Sequence, residues 1–276
     1  MHLLMIITSL TIACWLRYSG IISQGNWHLR WERSLFLFLF PPLLIFMTAI
    51  AVVWMGTQGQ MGGIYTNSVS YLLALIFLGF FNILGIKLAV KGWKSVQSAR
   101  ECPQVNIAGQ SARLLKTEAL FAGQMGFWQP ELVVSQGLLA ALSPDHLQSV
   151  LAHEQGHYQY RDTFWFFWLG WVRACTTWLP NTEPLWQELL VLRELRADSY
   201  AVSQVDPLVL AESLLLVAGN NSIRSDVCCA ALSASDRLEQ RIEALLTPSE
   251  PAPQQLRSWH IFLLAFLPLI TVLFHT

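Results

Sequence analysis

The chain has few charged residues. Only 13% of its 276 residues are Asp, Glu, Lys or Arg, whereas about 25% is usual in a soluble domain. Hydrophobic residues make up 54% of the chain, and the net charge is −1. A chain without an excess of basic residues lacks the charge that attracts nucleic acid. We therefore expect a membrane protein whose partners include the lipid bilayer, with no direct nucleic-acid binding.

Cysteine is scarce and poorly arranged for bonding. The five cysteines stand at positions 14, 102, 175, 228 and 229. Their number is odd and two of them are adjacent, which argues against a secreted disulfide framework. Their spacing does not match a zinc cluster either. A metal ion in this protein would need other ligands.

One short motif supplies such ligands: His153-Glu154-Gln155-Gly156-His157. Residues four apart share one face of a helix, so both imidazoles can bind one metal ion. Glu154 stands where it can accept a proton from a water activated by that metal. The pattern H-E-x-x-H is typical of zinc hydrolases. The alternative, two surface histidines that share a helix by chance, is the less favoured interpretation.

The residues before the motif predict where its helix begins. Ser143, Pro144 and Asp145 have the pattern of an N-cap, a proline at the first helical position and an acid near the positive end of the helix dipole. Leu147 and Val150 begin an apolar face that continues to the motif. We therefore expect the metal to lie in a buried cleft.

A catalytic zinc site normally has three protein ligands. A second helix is predicted from residue 185 to about 204, and it carries Glu194 and Asp198 on one face. We interpret Glu194 as the third ligand, and Asp198 as an acceptor that orients a ligand histidine. The alternative is a solvated charged face formed with Arg193 and Arg196. The interpretation predicts one zinc ion per chain.

The segments 34–55 and 69–90 are long and apolar enough to span a membrane as helices. The segment 260–274 is shorter and contains Pro268, but it is apolar enough to cross with help from its flanks. The first apolar segment, 3–16, could be a signal peptide, but it lacks a basic start and a small-residue cleavage site. A retained first helix that runs on to about residue 22 is the favoured interpretation. The stretch 164–179 either dips into the membrane or spans it.

Lysine and arginine in short loops predict the orientation. The loop 17–33 contains three arginines and the loop 56–68 has no charged residue, while Lys91 and Lys94 follow the third span. This pattern places the N-terminus and C-terminus outside and residues 92–258 in the cytoplasm. The predicted organisation is therefore 1–91 with three spans, 92–258 as a cytoplasmic zinc-peptidase domain, and 259–276 as a last transmembrane helix in the cell membrane.

The fold class predicted from these observations is mainly α. It is a multi-pass membrane protein that carries a helical H-E-x-x-H zinc-peptidase domain. The stretch 119–134 mixes aromatic and aliphatic residues with glycine, and predicts one or two strands beside the active cleft. An extended substrate can pair with such a strand.

Several motifs together resemble one family. They are His153-Glu154-x-x-His157, Tyr160-Arg161-Asp162, Glu194-x-x-Ala197-Asp198 and the lead-in Gly126-Phe127-Trp128-Gln129-Pro130-Glu131-Leu132-Val133-Val134. Their order resembles the BlaR/MecR-type integral membrane zinc metallopeptidases, in detail from 121 to 201. Prenyl-protease and heat-shock membrane peptidases are more distant in pattern, because they share the zinc motifs but not the lead-in.

The resemblance implies a gluzincin-like zinc endopeptidase that cleaves a cytoplasmic protein, such as a DNA-binding repressor, in a signalling pathway. Antibiotic sensing is not implied, because the chain stops at Thr276 without the sensor domain of that family. One alternative is a quality-control peptidase for membrane proteins, and another is a non-catalytic transducer. Four residues remain open as stabilisers of the oxyanion: His146, Tyr158, Tyr160 and Arg161.

Overall fold

The computed structural model describes residues 2–20, 26–57, 60–61, 64–65, 68–222, 228–247 and 259–274. The chain divides into two compact units. The first, here called the helical unit, comprises Met1–Leu88, Leu169–Leu189 and Ala252–Thr276. The second, here called the motif unit, comprises Ala89–Trp168 and Leu190–Pro251. The domain boundaries inferred from the sequence stay a prediction.

Helices form most of the described chain, with a small sheet, which confirms the predicted fold class. The helices are α1 His2–Ser19, α2 Trp27–Met55, α3 Ser68–Arg100, α4 Gln136–Ala141, α5 Pro144–Gln159, α6 Asp162–Cys175, α7 Thr182–Val202, α8 Pro207–Ser222, α9 Cys228–Leu246 and α10 Leu267–Ile270. The strands are β1 Gln60–Met61, β2 Ile64–Tyr65, β3 Gln104–Ile107, β4 Gln110–Leu115, β5 Ala122–Met125 and β6 Glu131–Ser135.

Three helices are long and apolar enough to cross a membrane, namely α1, α2 and α3. Helices α2 and α3 contain the predicted segments 34–55 and 69–90, and α1 contains the first apolar segment, 3–16, but ends at Ser19 and not near residue 22. Both α2 and α3 extend past their apolar segments, α2 at its start and α3 by ten residues to Arg100. An apolar window marks the part of a helix that lipid can surround, and polar turns continue the helix beyond it. The chain is therefore a membrane protein.

The C-terminal apolar segment is not one regular helix. Two 3₁₀ helices, Trp259–Phe266 and Thr271–Phe274, flank the short α10. Pro268 in α10 has no backbone N–H to donate, and proline breaks regular helical bonding. Among the described residues, the helices that are both long and apolar enough to cross a membrane are the three named above. The predicted transmembrane helix at 259–276 stays a prediction.

A buried arginine holds the helical unit together. Arg17 at the end of α1 is 1% exposed. Its guanidinium donates to the carbonyls of Phe38 (3.1 Å) and Pro180 (3.2 Å) and to the hydroxyl of Thr182 (3.2 Å). Asn181 donates to the carbonyl of Arg17 at 2.8 Å. Through these bonds α1 is fixed to α2 and to the turn before α7.

The motif unit contains a four-stranded sheet in the order β3-β4-β6-β5. The β4–β6 pair is parallel, and the other two pairs are antiparallel. Strands β5 and β6 confirm the prediction for 119–134, whereas β3 and β4 were not predicted. One face of the sheet packs on α4 and α5, in a core that includes Leu132, Val134, Leu138, Val150 and Leu151. Strand β5 lies at one edge of the sheet.

A second apolar cluster joins the helices of the motif unit. Ala152 of α5, Ala201 of α7 and Leu210 of α8 are buried together. One turn before Ala152 in α5, the hydroxyl of Ser149 donates a buried hydrogen bond of 2.9 Å to the hydroxyl of Ser213 in α8. These contacts hold α5 beside α7 and α8, which carry or support the residues of the candidate site.

Candidate metal centre

Helix α5 begins where the sequence predicts. The side chain of Ser143 accepts a hydrogen bond from the backbone N–H of His146 at 3.3 Å, and Pro144 is the first helical residue. The helix then continues to Gln159, so His153 and His157 lie one turn apart on the same face. Their ring centroids are 4.7 Å apart. Both side chains are largely buried, as the apolar face of the helix predicts.

Helix α7 passes very close to α5 at the motif. A Cβ atom added to Gly156 would lie 3.1 Å from both the Cα and the carbonyl oxygen of Ala197. Ala197 is fully buried. Only two small residues allow the helix backbones to approach this closely. The contact brings Glu194, one turn before Ala197, level with the two histidines.

Three ligand atoms form a compact triangle. The His153 Nε2 and His157 Nε2 atoms are 3.1 Å apart, and Glu194 Oε2 lies 3.4 Å from the first and 3.8 Å from the second. A tetrahedral zinc ion with bonds of about 2.0–2.1 Å separates its ligand atoms by roughly 3.3 Å. The triangle therefore matches a zinc ion in size. The predicted ligands His153, His157 and Glu194 lie close enough to bind one metal ion.

Each histidine is oriented by an aspartate. The Nδ1 atom of His153 is 2.7 Å from Asp198 Oδ1, and Nδ1 of His157 is 2.7 Å from Asp162 Oδ2. A proton on Nδ1 that is shared with a carboxylate leaves the Nε2 lone pair free for a metal. The structure places Asp198 where the sequence analysis expected it. Asp162 is an equivalent partner whose function the sequence analysis missed, although it follows the motif by only five residues.

Each aspartate is in turn held by an arginine. Arg241 of α9 donates to both oxygens of Asp198 at 2.7 and 2.8 Å, and its Nη1 lies 3.4 Å from Glu194 Oε2. Arg196 of α7 pairs with Asp162. The site thus has two Arg–Asp–His relays, one for each ligand histidine. Arg241 was not predicted, because it stands 84 residues beyond His157 and no local spacing connects the two.

The relays and the third ligand shift the ionisation of the centre. Burial lowers the pKa of His153, but hydrogen bonds with Asp198 and Glu194 outweigh it and raise that pKa to about 9. Burial raises the pKa of the Glu194 carboxyl, but its contacts with His153 and His157 outweigh burial, and the pKa lies well below its usual range. Without a metal, the centre therefore holds a proton on His153 against an ionised Glu194. A metal ion that binds Nε2 must displace that proton.

Glu154 differs from the other carboxylates at the site. It is 7% exposed, and its Oε2 atom has no hydrogen-bond partner among the residues that the structure describes. A buried carboxylate oxygen without a partner is costly, and such groups usually have a chemical function. Its position on α5, next to His153, suits a general base.

The edge strand β5 borders the motif helix. The side chain of Gln124 donates to the carbonyl of Glu154 at 3.3 Å. Gln124 also pairs with Leu132 of β6 on the inner side of the strand. The other side of β5 has no neighbouring strand in the described sheet. A peptide can add to such an edge in extended form.

The four candidates for oxyanion stabilisation lie in different settings. His146 contacts the Ser143 hydroxyl at 3.0 Å and Glu212 at 3.1 Å. Tyr160 is stacked by Arg196, whose Cζ is 4.4 Å from the ring centroid. Tyr158 and Arg161 are exposed. The choice among the four stays open, and Arg241 joins them as a cation near Glu194.

Comparison with known proteins agrees with this chemistry. Residues 110–188 match the model of peptidase family M48. The match supports a metallopeptidase, and zinc dependence is implied by that family. It includes His153, Glu154 and His157 but ends before Glu194, and it does not confirm the BlaR/MecR type. No curated protein and no solved structure matches the chain.

Proposed function

We propose that the protein is a membrane-embedded zinc endopeptidase that cleaves a cytoplasmic protein. The observation that carries the proposal is the triangle of His153, His157 and Glu194 with Glu154 beside it. The triangle has the dimensions of a zinc site. Glu154 supplies the buried carboxylate that hydrolysis of a peptide bond requires.

The residues of the chain have distinct tasks in this reaction. Zinc, when bound by the triangle, supplies a Lewis acid that makes water nucleophilic near neutral pH. Glu154 accepts the proton of the attacking water and passes it to the leaving amine. The two relays keep the ligand histidines in one tautomer and one orientation. Strand β5 aligns the substrate backbone beside α5, so that the scissile bond lies next to Glu154.

The BlaR/MecR type is our proposal for the subfamily, with a repressor-like protein as the substrate. The motif order supports it, and the structure adds a physical reason for one part of that pattern. Asp162, which closes the Tyr160-Arg161-Asp162 motif, hydrogen-bonds to the ligand His157. Cleavage of a cytoplasmic regulator also agrees with the orientation that Lys91 and Lys94 predict.

Substrate trapping with Glu154→Gln tests the proposal. The variant removes the general base but keeps the size of the side chain, so proteolysis should fall by at least about 10²-fold. Zinc content should stay at the wild-type level, and the variant should retain its substrate, which mass spectrometry can identify. Glu101→Gln is the matched control, because Glu101 is an exposed glutamate of the same unit, and it should cleave normally.

Three outcomes are informative. A zinc-loaded Glu154→Gln protein that cleaves at the wild-type rate would contradict the mechanism. Trapped damaged membrane proteins instead of a regulator would favour the quality-control alternative. A wild-type protein that holds zinc but cleaves nothing in its native membranes would favour the non-catalytic transducer.

The orientation has its own test. A cysteine placed at Val105, in a background without the native cysteines, should react with a membrane-impermeant reagent only after the membrane is opened. A cysteine in the loop 56–68 should react from outside in intact cells. External labelling at position 105 would contradict the orientation and, with it, a cytoplasmic substrate.

A further inference from the structure

The motif unit also carries an uncharged aromatic surface. Its side chains come from the turn between β5 and β6 and from the first turns of α6. We define the aromatic surface as Phe127, Trp128, Phe164, Trp165, Phe167 and Trp168. The two segments that supply it, 126–130 and 163–168, contain no Asp, Glu, Lys or Arg. Such a concentration of aromatic residues without charge is unusual on a soluble surface.

The phenylalanines form the base of this surface and the tryptophans form its exposed part. The Phe127 ring lies 4.9 Å from Phe164 and 5.0 Å from Phe167. Above them, Trp128 is 75% exposed and Trp165 is 56% exposed. The rings of the two segments are therefore packed against one another, while the largest side chains face outward.

The turn that carries Phe127 and Trp128 has a specific backbone. Gly126 has a φ of +133°, and a Cβ atom there would lie 2.9 Å from the carbonyl oxygen of Gln129. Only glycine fits this position, because any side chain would be strained and would clash with the backbone. The tight turn places the two aromatic residues at the tip of the β5–β6 hairpin.

We propose that the aromatic surface inserts into the interfacial layer of the phospholipid bilayer that α1, α2 and α3 cross. Tryptophan is enriched at the boundary between hydrocarbon and water, where its apolar ring contacts lipid and its N–H reaches polar headgroups. Charged residues are costly at that depth, and the two segments have none. The interaction partner is therefore a lipid surface.

Continuity with the membrane helices supports this partner. Helix α6 is one helix from Asp162 to Cys175. Later in it, the indole of Trp171 donates to the carbonyl of Phe81 at 2.9 Å, and Phe81 lies in the apolar part of α3. Trp165 precedes Trp171 by six residues, which is about 9 Å along the axis of α6. The helix that supplies four of the six aromatic residues is therefore also in contact with a membrane helix.

An apolar protein substrate is the other class of partner for such a surface. Phe127 and Trp128 follow directly after β5, the edge strand beside the motif. A surface used for substrate would be covered only while substrate is bound. A surface embedded in lipid would be covered at all times in a membrane and independently of Glu154. The two partners therefore give different results in vesicles that contain the protein alone.

Site-directed spin labelling of the full-length protein separates them. Single cysteines replace Trp128, Trp165 or Gln104 in a background without the native cysteines whose thermal unfolding matches wild type. The labelled proteins are placed in vesicles of phosphatidylcholine and phosphatidylglycerol. Collisions of each label with dissolved oxygen and with a water-soluble nickel chelate are then measured. Gln104 is the control, because it is an exposed residue of β3, the edge strand on the opposite side of the sheet from β5.

We expect labels at 128 and 165 to lose most of the nickel-chelate collisions seen at 104 and to gain collisions with oxygen. Nickel-chelate access at 128 and 165 as high as at 104 would overturn the proposal. Shielding that appears only when a trapped substrate is added to the Glu154→Gln protein would also overturn it and identify a substrate surface. The two positions are labelled separately and both are exposed, so one badly folded variant leaves the other to decide.

Discussion

The buried arginines of the two units have different hydrogen-bond partners. In the helical unit, Arg17 is surrounded by two backbone carbonyls and a threonine hydroxyl. In the motif unit, Arg241 and Arg196 each pair with an aspartate that also holds a histidine. The first arginine satisfies neutral acceptors, and its charge has no carboxylate partner among those bonds. The other two belong to chains of ionised groups that end at the metal ligands.

By this difference, the charge of Arg17 is structural, whereas the charges of Arg241 and Arg196 are functional. Backbone carbonyls and a threonine hydroxyl fix the geometry of a helix end, and they do not ionise near neutral pH. An Arg–Asp–His relay fixes geometry and also sets which nitrogen of the imidazole is free. Replacing residues of the relays should therefore change metal binding, whereas replacing Arg17 should change stability alone. The following predictions test this comparison, beginning with the largest effect.

Loss of the third ligand should have the largest effect. Glu194→Ala removes one corner of the triangle, and we expect zinc content to fall from about one ion per chain to near zero, together with proteolysis. Metal analysis of the purified protein measures the zinc content. The control is Glu188→Gln, since Glu188 is a buried glutamate of the same helix that pairs with Arg30 at 2.7 Å. Full zinc content in Glu194→Ala would show that another residue is the third ligand.

Loss of a relay charge should weaken zinc binding without abolishing it. Asp198→Asn keeps the shape of the side chain but removes the charge that holds His153, and we expect zinc affinity to fall by about 10–100-fold. Competition with a chelator measures the affinity. Asp206→Asn is the control, because Asp206 is an exposed N-cap of α8 and asparagine caps a helix equally well. Equal zinc affinity in the Asp198→Asn and Asp206→Asn variants would show that Asp198 does not support zinc binding.

Arg17→Met should destabilise the helical unit and leave the metal centre intact. Methionine keeps the apolar stem but leaves buried acceptors unsatisfied, at a cost of about 1–3 kcal/mol in the free energy of unfolding. We expect a lower midpoint of thermal unfolding in detergent, with unchanged zinc content. A variant that unfolds normally but loses zinc would contradict the separation of structural and functional arginines.

The smallest effect should come from Glu131, which pairs with Arg100 and Arg113 at 2.8 Å each. Its hydrogen bond with Arg113 is the main cause of a lowered pKa. A lowered pKa stabilises the fold above the unfolded value of about 4.3, and that stabilisation is lost as pH falls through the folded value. Glu131 is one-third exposed, so Glu131→Gln should cost at most about 1 kcal/mol at neutral pH.

Denaturant titrations at several pH values measure this last effect. The difference between wild type and Glu131→Gln should shrink below about pH 4.3, where the unfolded carboxyl takes up a proton. A difference that is constant down to acid pH would mean that packing, and not the ion pairs, is responsible.

The sequence predicted the parts of the site that depend on helical spacing. His153 and His157 share a face because they are four apart, and Glu194 and Asp198 do so for the same reason. The three membrane helices follow from long apolar runs. Arg241 could not be predicted in this way, because its place beside Asp198 depends on how α9 packs. Strands β3 and β4 were missed because buried and exposed positions do not alternate clearly along them.

The close approach of α5 and α7 limits which residues the H-E-x-x-H motif can contain. Written as H-E-x-x-H, the motif allows any residue at its second variable position, yet here that position is Gly156, where a Cβ atom would meet the Ala197 backbone at 3.1 Å. A library randomised at Gln155 and Gly156 should therefore recover many residues at the first position and almost none besides glycine at the second. Inactive clones would keep every chemical group of the site. They would be inactive because the helix that carries Glu194 would lie too far from the helix that carries the histidines.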